Sequence, residues 1–202
     1  VAGVSNIGDE LNSVDANGVI NTVVVSGGDV DATEAAVIQS ISGYVGIASD
    51  YDITDNASAL ISAGDEVLNV AGVDIVTASN TSVNANIGGD LAGFTAEIEF
   101  DVVDNAAGLI AEMGGADVAG HLTEANSITV DDGNGSQNVT ANDGAILAGF
   151  TADVGFDVID TADNIAAEVA GTTNSGDELN SVDANGVINT VVVSGGDVTA
   201  SE

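Results

Sequence analysis

The sequence predicts an α/β fold in which strand–helix–hairpin–helix units repeat along a solenoid-like array, with about three units in each long period. Residues 8–30 and 176–198 carry the same 23 letters, GDELNSVDANGVINTVVVSGGDV, so the long period is 168 residues. A shorter motif consists of an aromatic residue, an Asp, two further residues and a second Asp. It begins at Tyr51, Phe100 and Phe156. Periods of this kind are typical of solenoids and of arrays of small domains.

Each predicted unit begins with a strand and continues into a helix. Residues 97–102 alternate polar and apolar side chains, which is the pattern of a half-buried strand. Apolar residues then recur at i, i+3, i+4 and i+7 and predict helices; they are Ala106, Leu109, Ile110 and Met113 in one unit and Ala162, Ile165, Ala166 and Val169 in another. An extended stretch such as residues 127–131 follows. The turn-rich letters of residues 132–136 then predict a hairpin with residues 137–140, and a second helix closes the unit.

Capping signals mark where the predicted helices begin. Three capping boxes, in which the N-cap and the third helical residue bond to each other's backbone, pair Asp31 with Glu34, Thr140 with Asp143, and Thr199 with Glu202. Three aspartates end a strand directly before a helix and are therefore predicted to be N-caps of that helix; they are Asp55, Asp104 and Asp160.

The motif spacing divides the chain into parts of unequal length. Residues 1–49 are expected to be the C-terminal part of a preceding unit, residues 50–98 and 99–154 to be two units, and residues 155–202 to start the next. The chain is then cut out of phase with its units. The pattern fits one continuous solenoid and also a row of separate domains.

The charge composition excludes several classes of partner. The chain has no Lys and no Arg against 33 Asp and Glu, for a net charge of −33, while 45% of its residues are hydrophobic. A core is therefore available, but nucleic acids and anionic membranes are excluded as partners because phosphate contacts need cations. Water, backbone N–H groups, helix N-termini and metal ions remain as partners for the carboxylates. Such a charge fits an extracellular setting of high ionic strength.

Catalytic signals are missing, and the sequence predicts that the protein is not an enzyme. There is no Cys, and His121 is the single histidine, so neither a zinc site nor a nucleophile–histidine pair can be assembled in the usual way. His121 is expected to be a surface residue at a helix end. No run of 18 apolar residues exists, so no transmembrane helix is expected.

Two phrases resemble the tandem repeats of giant secreted bacterial surface proteins and adhesins. These are aromatic-Asp-Val-x-Asp-Thr-Ala-x-Asn-Ile at residues 156–165 and Ala-Asn-Ser-Ile-Thr-Val-Asp-Asp-Gly at residues 125–133, and the resemblance covers residues 51–170 best. It implies a bacterial protein exported by type I secretion, with RTX-type calcium-binding nonapeptides elsewhere in its chain. The nonapeptide signature itself is missing, so the calcium roll of that family is carried over to no residue.

Three groups of oxygen-bearing side chains are candidate ligands for Ca²⁺, which prefers carboxylate and carbonyl oxygens. Asp52, Asp101 and Asp157 occupy equivalent strand positions and would form a ladder of like charges about 5 or 10 Å apart if the strands stack. A calcium ion could neutralise such a ladder; a solvated acidic face is the alternative. The other candidates are Asp131, Asp132 and Asn134, which also read as a hairpin turn, and Asp15 and Asn17, which also read as a turn before a strand.

The sequence therefore predicts a non-catalytic structural repeat of a long extracellular or cell-surface protein, an extender or spacer rigidified by calcium. The expected partners are neighbouring repeats of the same chain. The alternative is a self-assembling subunit of a surface layer or filament, with identical chains joined through calcium. An enzyme or carbohydrate-binding module is a third reading, which the verbatim repetition disfavours because a repeated sequence implies a repeated structural task.

Overall fold

A computed structural model describes residues 24–25, 28–40, 50–113, 121–148, 154–170 and 188–195. The chain divides into two compact units. Unit 1 comprises Val1–Thr81 and Asp90–Phe100, and unit 2 comprises Ser82–Gly89 and Asp101–Glu202. The prediction of an α/β fold is confirmed, because helices alternate with strands and all strand pairs of the described residues are parallel.

The helices of the described residues are short, between four and eight residues each. They are α1 (Ala32–Gln39), α2 (Ala57–Ala63), α3 (Asp65–Leu68), α4 (Ala85–Ala92), α5 (Ala106–Met113), α6 (Ala141–Ala148) and α7 (Ala162–Val169), with one turn of 3-10 helix at His121–Glu124. Helices are confirmed at both places where the apolar spacing predicts them, as α5 and α7. His121 begins the 3-10 turn.

The strands of the described residues belong to two sheets. They are β1 (Tyr51–Asp55), β2 (Val73–Ala78), β3 (Ile98–Glu99), β4 (Asp101–Asp104), β5 (Ser127–Val130), β6 (Asn138–Val139), β7 (Val154–Asp160) and β8 (Ile188–Val193). Unit 1 holds the order β1-β2-β3. Unit 2 holds β4-β5-β7, and both β6 and β8 pair with β7. Since β6 and β8 pair with the same two residues, Asp157 and Val158, they lie on opposite edges of β7.

The core of unit 1 lies between its sheet and its first three helices. Tyr51 and Ile53 of β1 point inward and are buried, and Leu60 of α2 and Leu68 of α3 are fully buried as well. The Tyr51 hydroxyl is hydrogen-bonded as well, because Gln39 Nε2 donates to Tyr51 Oη over 2.8 Å. Burying the apolar side of these short helices, rather than their intrinsic propensity, is what holds them in place.

Gly64 makes the tight junction between α2 and α3. Its φ is +70°, a conformation that residues with a Cβ rarely adopt. Its N–H donates to Leu60 O over 3.1 Å, and its own carbonyl accepts from Leu68 N over 3.1 Å. The chain thus ends one helix and begins the next at a single residue.

The core of unit 2 is centred on β7. Val154, Phe156 and Val158 are completely buried, and the residues between them are partly exposed. Leu109 of α5 and Leu147 of α6 are buried to the same degree. This alternation is the pattern of a strand with one side in the core, and it repeats the alternation that the sequence predicts for residues 97–102.

The hairpin prediction for residues 127–140 is wrong. β5 pairs in parallel with Val154 and Gly155, and β6 pairs in parallel with Asp157 and Val158. The two segments therefore run in the same direction, and residues 131–137 form an excursion between them rather than a reversal. Turn-forming residues indicate that the chain bends at residues 132–136. The direction of the next strand is set by β7, because β7 forms the backbone hydrogen bonds of both β5 and β6.

No helix among the described residues combines the length and the apolar character that crossing a membrane requires.

Gly144 of α6 is a packing constraint that can be tested directly. A Cβ at this position would lie 3.0 Å from Val158 Cγ2, 3.1 Å from Phe156 Cε2 and 3.3 Å from Val139 Cγ2, all of them side chains of the buried core. We expect Gly144→Ala to lower the free energy of unfolding by about 1 kcal/mol, because the overpacking cost exceeds the helix-propensity gain. Urea denaturation followed by circular dichroism measures the change.

Gly155→Ala is the matched control for this substitution. Its added Cβ would meet nothing nearer than Asn189 Nδ2 at 3.8 Å, which is ordinary contact. We expect this variant to stay within about 0.5 kcal/mol of the wild type. A Gly144→Ala protein at least as stable as Gly155→Ala would show that α6 can move away from β7.

Candidate functional site

The most distinctive polar feature of the molecule is a junction at the end of a core strand, which we call the aspartate junction. In each one a strand-terminal aspartate accepts, through Oδ2, the backbone N–H of the first residue of an earlier helix. The three bonds run from Ala32 N to Asp55 over 3.2 Å, from Ala85 N to Asp104 over 3.0 Å, and from Ala141 N to Asp160 over 3.0 Å. One junction lies in unit 1 and two lie in unit 2.

The second oxygen of each junction aspartate binds the start of the helix that follows. Oδ1 accepts the N–H of the next residue over 2.7 to 2.8 Å and also accepts an Asn side-chain amide over 2.7 to 2.9 Å. The donors are Asn56, Asn105 and Thr161 for the backbone bond and Asn56, Asn105 and Asn164 for the amide bond. One carboxylate thus joins the beginnings of two helices, where the exposed N–H groups favour a negative charge.

The prediction that these aspartates are N-caps is therefore wrong by one residue. The N-cap of each following helix is the residue directly after the aspartate, and its side-chain oxygen accepts the backbone N–H of the residue three positions further along the chain. The distances are 3.1 Å for Asn56, 3.0 Å for Asn105 and 3.3 Å for Thr161. The capping-box prediction for Asp31 and Glu34 is confirmed. Thr140 and Asp143 also bond to each other, while Thr199 and Glu202 lie outside the described residues.

A valine anchors the earlier helix of each junction to the strand, in an arrangement that we call the valine dock. Val30 pairs in parallel with Ile53, with Val30 N donating to Asp52 O and Thr54 N donating to Val30 O, each over 2.9 Å. Val83 pairs in the same way with Val102, and Val139 with Val158. Two backbone bonds and the junction carboxylate therefore hold each helix start.

The three candidate ladder aspartates each bond to the following strand. Asp52 Oδ1 accepts Ile75 N over 3.2 Å, Asp101 Oδ1 accepts Ser127 Oγ over 2.6 Å, and Asp157 Oδ1 accepts Thr190 Oγ over 2.6 Å. These are cross-strand polar pairs that help to hold the parallel register.

Within unit 2, the register separates two of the ladder positions. Ser127 pairs with Asp101, while the next residue, Ile128, pairs with Val154, three residues before Asp157. Asp101 and Asp157 are thus offset by four residue positions, about 13 Å along the strand direction at 3.3 Å per residue. The expectation of a level ladder is wrong for this pair, because each neighbouring strand is shifted and the sequence equivalence does not translate into equal height.

The acidic loop at residues 131–136 binds its own backbone. Asp131 Oδ1 accepts the N–H groups of Gly133 and Gly135 over 2.8 and 2.9 Å, and Asp132 Oδ1 accepts Asn134 N over 2.9 Å. Such turns, with side-chain acceptors and glycines at positive φ, are self-contained. The remaining candidates, Asp15 and Asn17, lie outside the described residues. Among the residues that are described, no group of three or more His, Cys, Asp or Glu side chains is arranged to hold a metal ion.

An open groove of about 390 Å³ lies beside one aspartate junction of unit 2. It is lined by Thr140, Asn142, Asp160, Asn164, Ala167 and Glu168. Glu168 is 4% exposed although the helical pattern placed apolar residues on the buried face of α7, and Val169 of the same helix is 44% exposed. The last residues of α7 therefore depart from the apolar stripe that its sequence indicates, while Ala162, Ile165 and Ala166 are partly buried as that stripe predicts.

Asp160 is electrostatically suited to a structural role in this groove. Partial burial by itself raises its pKa, and the hydrogen bonds from Ala141, Asn164 and Thr161 outweigh that effect and lower the pKa below its ordinary value. A carboxylate that is ionised at neutral pH and already accepts three donors is a weak proton acceptor. Its geometry is that of a structural acceptor shared by two helix starts rather than that of a general base.

Asp65 is a second structural carboxylate, and the sequence analysis missed it. It accepts Thr95 N over 2.9 and 3.0 Å and Ala96 N over 3.1 Å, across 30 residues of chain in unit 1. These backbone donors lower its pKa. Gly64 and Asp65 together are a local signal for the start of a helix. Nothing in the neighbouring sequence indicates that Asp65 binds Thr95 and Ala96.

Comparison with known proteins found no matching family profile, no matching curated protein and no matching solved structure.

The lowered pKa of Asp160 predicts that the stability it contributes depends on pH. The folded pKa of Asp160 lies below that of the unfolded chain, so its contribution to stability is present above about pH 4 and is lost as the pH falls through the folded value. We expect Asp160→Asn to lower the free energy of unfolding by about 1–2 kcal/mol at pH 7, the range of cap substitutions. The difference from the wild type should shrink below about pH 4.

Urea denaturation of both proteins between pH 7 and pH 3 measures this difference. Asp163→Asn is the control, because Asp163 is exposed in the first turn of the same helix and its substitution removes the same charge. A loss of stability that is equal in the two variants, or that does not change with pH, would mean that charge alone matters and the junction geometry does not.

Proposed function

We propose that this chain is a non-catalytic structural repeat of a long extracellular surface protein or adhesin, in which it acts as an extender. The observation that carries the proposal is the aspartate junction, which recurs with the same atoms and nearly the same distances at Asp55, Asp104 and Asp160. A feature that recurs with each copy of a motif serves the connection between copies. The 23-residue identity between residues 8–30 and 176–198 extends the same reasoning to the long period.

Each junction supports an extended array because it joins segments that precede and follow a strand. The carboxylate of Asp104, for example, binds the start of α4 before its strand and the start of α5 after it. The valine dock adds backbone bonds to the same strand. Contacts of this kind link neighbouring parts of the chain, so adding copies adds contacts in proportion and favours a rod of repeating units.

The charge supports a location outside the cell and a role for cations. With 33 acidic residues and no Lys or Arg, the carboxylates of the chain have no basic side-chain partners. Self-repulsion destabilises compact states and weakens as ionic strength rises. Calcium is the proposed counter-ion, because it binds carboxylate oxygens and is plentiful in extracellular media. No enclosed calcium site is assigned, since the described candidate aspartates already accept N–H or hydroxyl donors; they are Asp52, Asp101, Asp131, Asp132 and Asp157.

Small-angle scattering of tandem arrays tests the extender role. Arrays of one, two and four copies of the 168-residue period should increase in maximum dimension in direct proportion to the copy number. A flexible chain would instead follow an exponent of about 0.5.

The matched control is an array in which the aspartates equivalent to Asp55, Asp104 and Asp160 are all replaced by Ala. This array should lose stability and linear growth together. Linear growth that survives the triple replacement would show that the junction does not keep the array extended, and square-root growth of the native array would refute the extender role itself.

Thermal melts test the calcium part separately. We expect about 5 mM CaCl₂ to stabilise the chain by roughly 1–3 kcal/mol more than NaCl of equal ionic strength, as expected for a ligand at 10- to 100-fold its dissociation constant. Equal shifts in CaCl₂ and NaCl would reduce the cation effect to charge screening. The magnesium salt serves as a control for divalent charge, since Mg²⁺ releases its water reluctantly.

A further inference from the structure

The excursion between β5 and β6 contains two successive dipeptides of a chemically labile kind. Asp132 is followed by Gly133, and Asn134 is followed by Gly135; all four residues are exposed. In such a dipeptide the backbone nitrogen of the glycine can attack Cγ of the preceding side chain, because glycine has no Cβ that would hinder the approach. The excursion is therefore a place where the chain can react with itself.

The reaction at Asn134 would proceed through a cyclic succinimide. A bond forms between Gly135 N and Asn134 Cγ, and the proton of the Gly135 N–H leaves with the side-chain amide group as ammonia. Water then opens the ring at either carbonyl and gives aspartate or isoaspartate, the latter with an additional carbon atom in the main chain. The same attack at Asp132 releases water, so that ring opening completes an isomerisation. In both cases the glycine nitrogen must give up its proton.

The conformation of the bend requires the two glycines that make these dipeptides labile. Gly133 has a φ of +88° and Gly135 a φ of +74°, which residues with a Cβ rarely adopt. A Cβ at either position would meet no atom within 4 Å, so the backbone conformation and not the available space selects glycine. The bend therefore keeps both reactive nitrogens, and any protection must come from their hydrogen-bond partners.

A single carboxylate oxygen holds both of these nitrogens. Asp131 Oδ1 accepts the N–H of Gly133 over 2.8 Å and the N–H of Gly135 over 2.9 Å. Asp131 is itself anchored at the end of β5, since its own N–H donates to Asp104 O over 2.8 Å. It is half-buried, whereas Asn134 is exposed. The acceptor thus belongs to the ordered end of the strand, and the groups that could react belong to the loop.

A carboxylate that accepts an N–H opposes the loss of that proton. The amide anion would face a negative charge about 3 Å away, and like charges disfavour the ionised form. At this distance the repulsion in water corresponds to about a tenfold change in an equilibrium constant. The third described dipeptide of this kind, Asp143 followed by Gly144, lies in α6, where Gly144 N donates to Thr140 O over 2.9 Å. The nitrogen of that glycine is thus held by its helix instead.

We propose that Asn134 is a site of spontaneous deamidation, and that Asp131 is a positioning residue that keeps the reaction slow by holding the N–H of Gly135. The bond from Gly133 to the same oxygen protects Asp132 from isomerisation in the same way. The proposal does not depend on the extender role, because the reaction needs only this loop and water. If Asp131 instead acted as a general base that takes the proton, its removal would slow the reaction.

Mass spectrometry of the full chain, aged at mildly alkaline pH, tests the proposal. Proteolysis after glutamate releases residues 125–168, which contain all three dipeptides. Fragment masses locate deamidation, and enzymatic methylation of isoaspartate reports isomerisation. We expect Asp131→Ala to raise the deamidation rate of Asn134 in the native protein about tenfold, because the N–H of Gly135 loses its charged acceptor.

Asp132→Ala is the matched control, because it removes the same charge and the 2.9 Å bond to Asn134 N but leaves the acceptor of Gly135 in place. It should accelerate deamidation much less. Isomerisation of Asp143 should not change in either variant, which excludes general loosening of the fold, and in concentrated urea the Asn134 rates should converge. The proposal is overturned if Asp131→Ala leaves the native rate unchanged or lowers it, if both variants have equal effects, or if the difference persists in urea.

Discussion

A single interaction organises the described structure: the carboxylate at the end of a core strand that receives the N–H groups of two helix starts. Both oxygens are needed, since Oδ2 serves the earlier helix and Oδ1 the later one. The side chain of Asn or Ser has a single acceptor oxygen and could serve only one of the two helix starts. This explains why residues 55, 104 and 160 are all Asp, while the N-cap residue that follows each of them is Asn or Thr. The helices are too short to be stable alone. Their first turns are positioned by this carboxylate and by the valine dock, and their apolar sides by the core.

The absence of Lys and Arg makes these donors indispensable. In a chain with both charges, a surface carboxylate has basic side chains to pair with, but here it must bind backbone N–H groups, hydroxyls, side-chain amides, water or cations. Asp65 and Asp160 bind backbone N–H groups, and these hydrogen bonds lower the pKa of both carboxyl groups. Carboxylates used in this way are committed to the fold. This is consistent with the proposed structural role, and the remaining acidic side chains are the ones available for the proposed response to salt and calcium.

The sequence alone determined the α/β class, the presence of helices α5 and α7, the alternation around Phe100 and the capping box at Asp31, because local periodicity and short-range hydrogen bonds specify these features. It did not determine the direction in which the chain resumes at Asn138, the offset of Asp157 from Asp101, the burial of Glu168, or the bond from Asp65 to Thr95. The strand pairings and the hydrogen bond behind the first, second and fourth of these join residues 19 to 30 positions apart along the chain. The sequence marked Asp160 as a helix-start residue, and the tertiary structure decided which helix its second oxygen holds. Only the packed sheet brings Ala141 N within 3.0 Å of that oxygen.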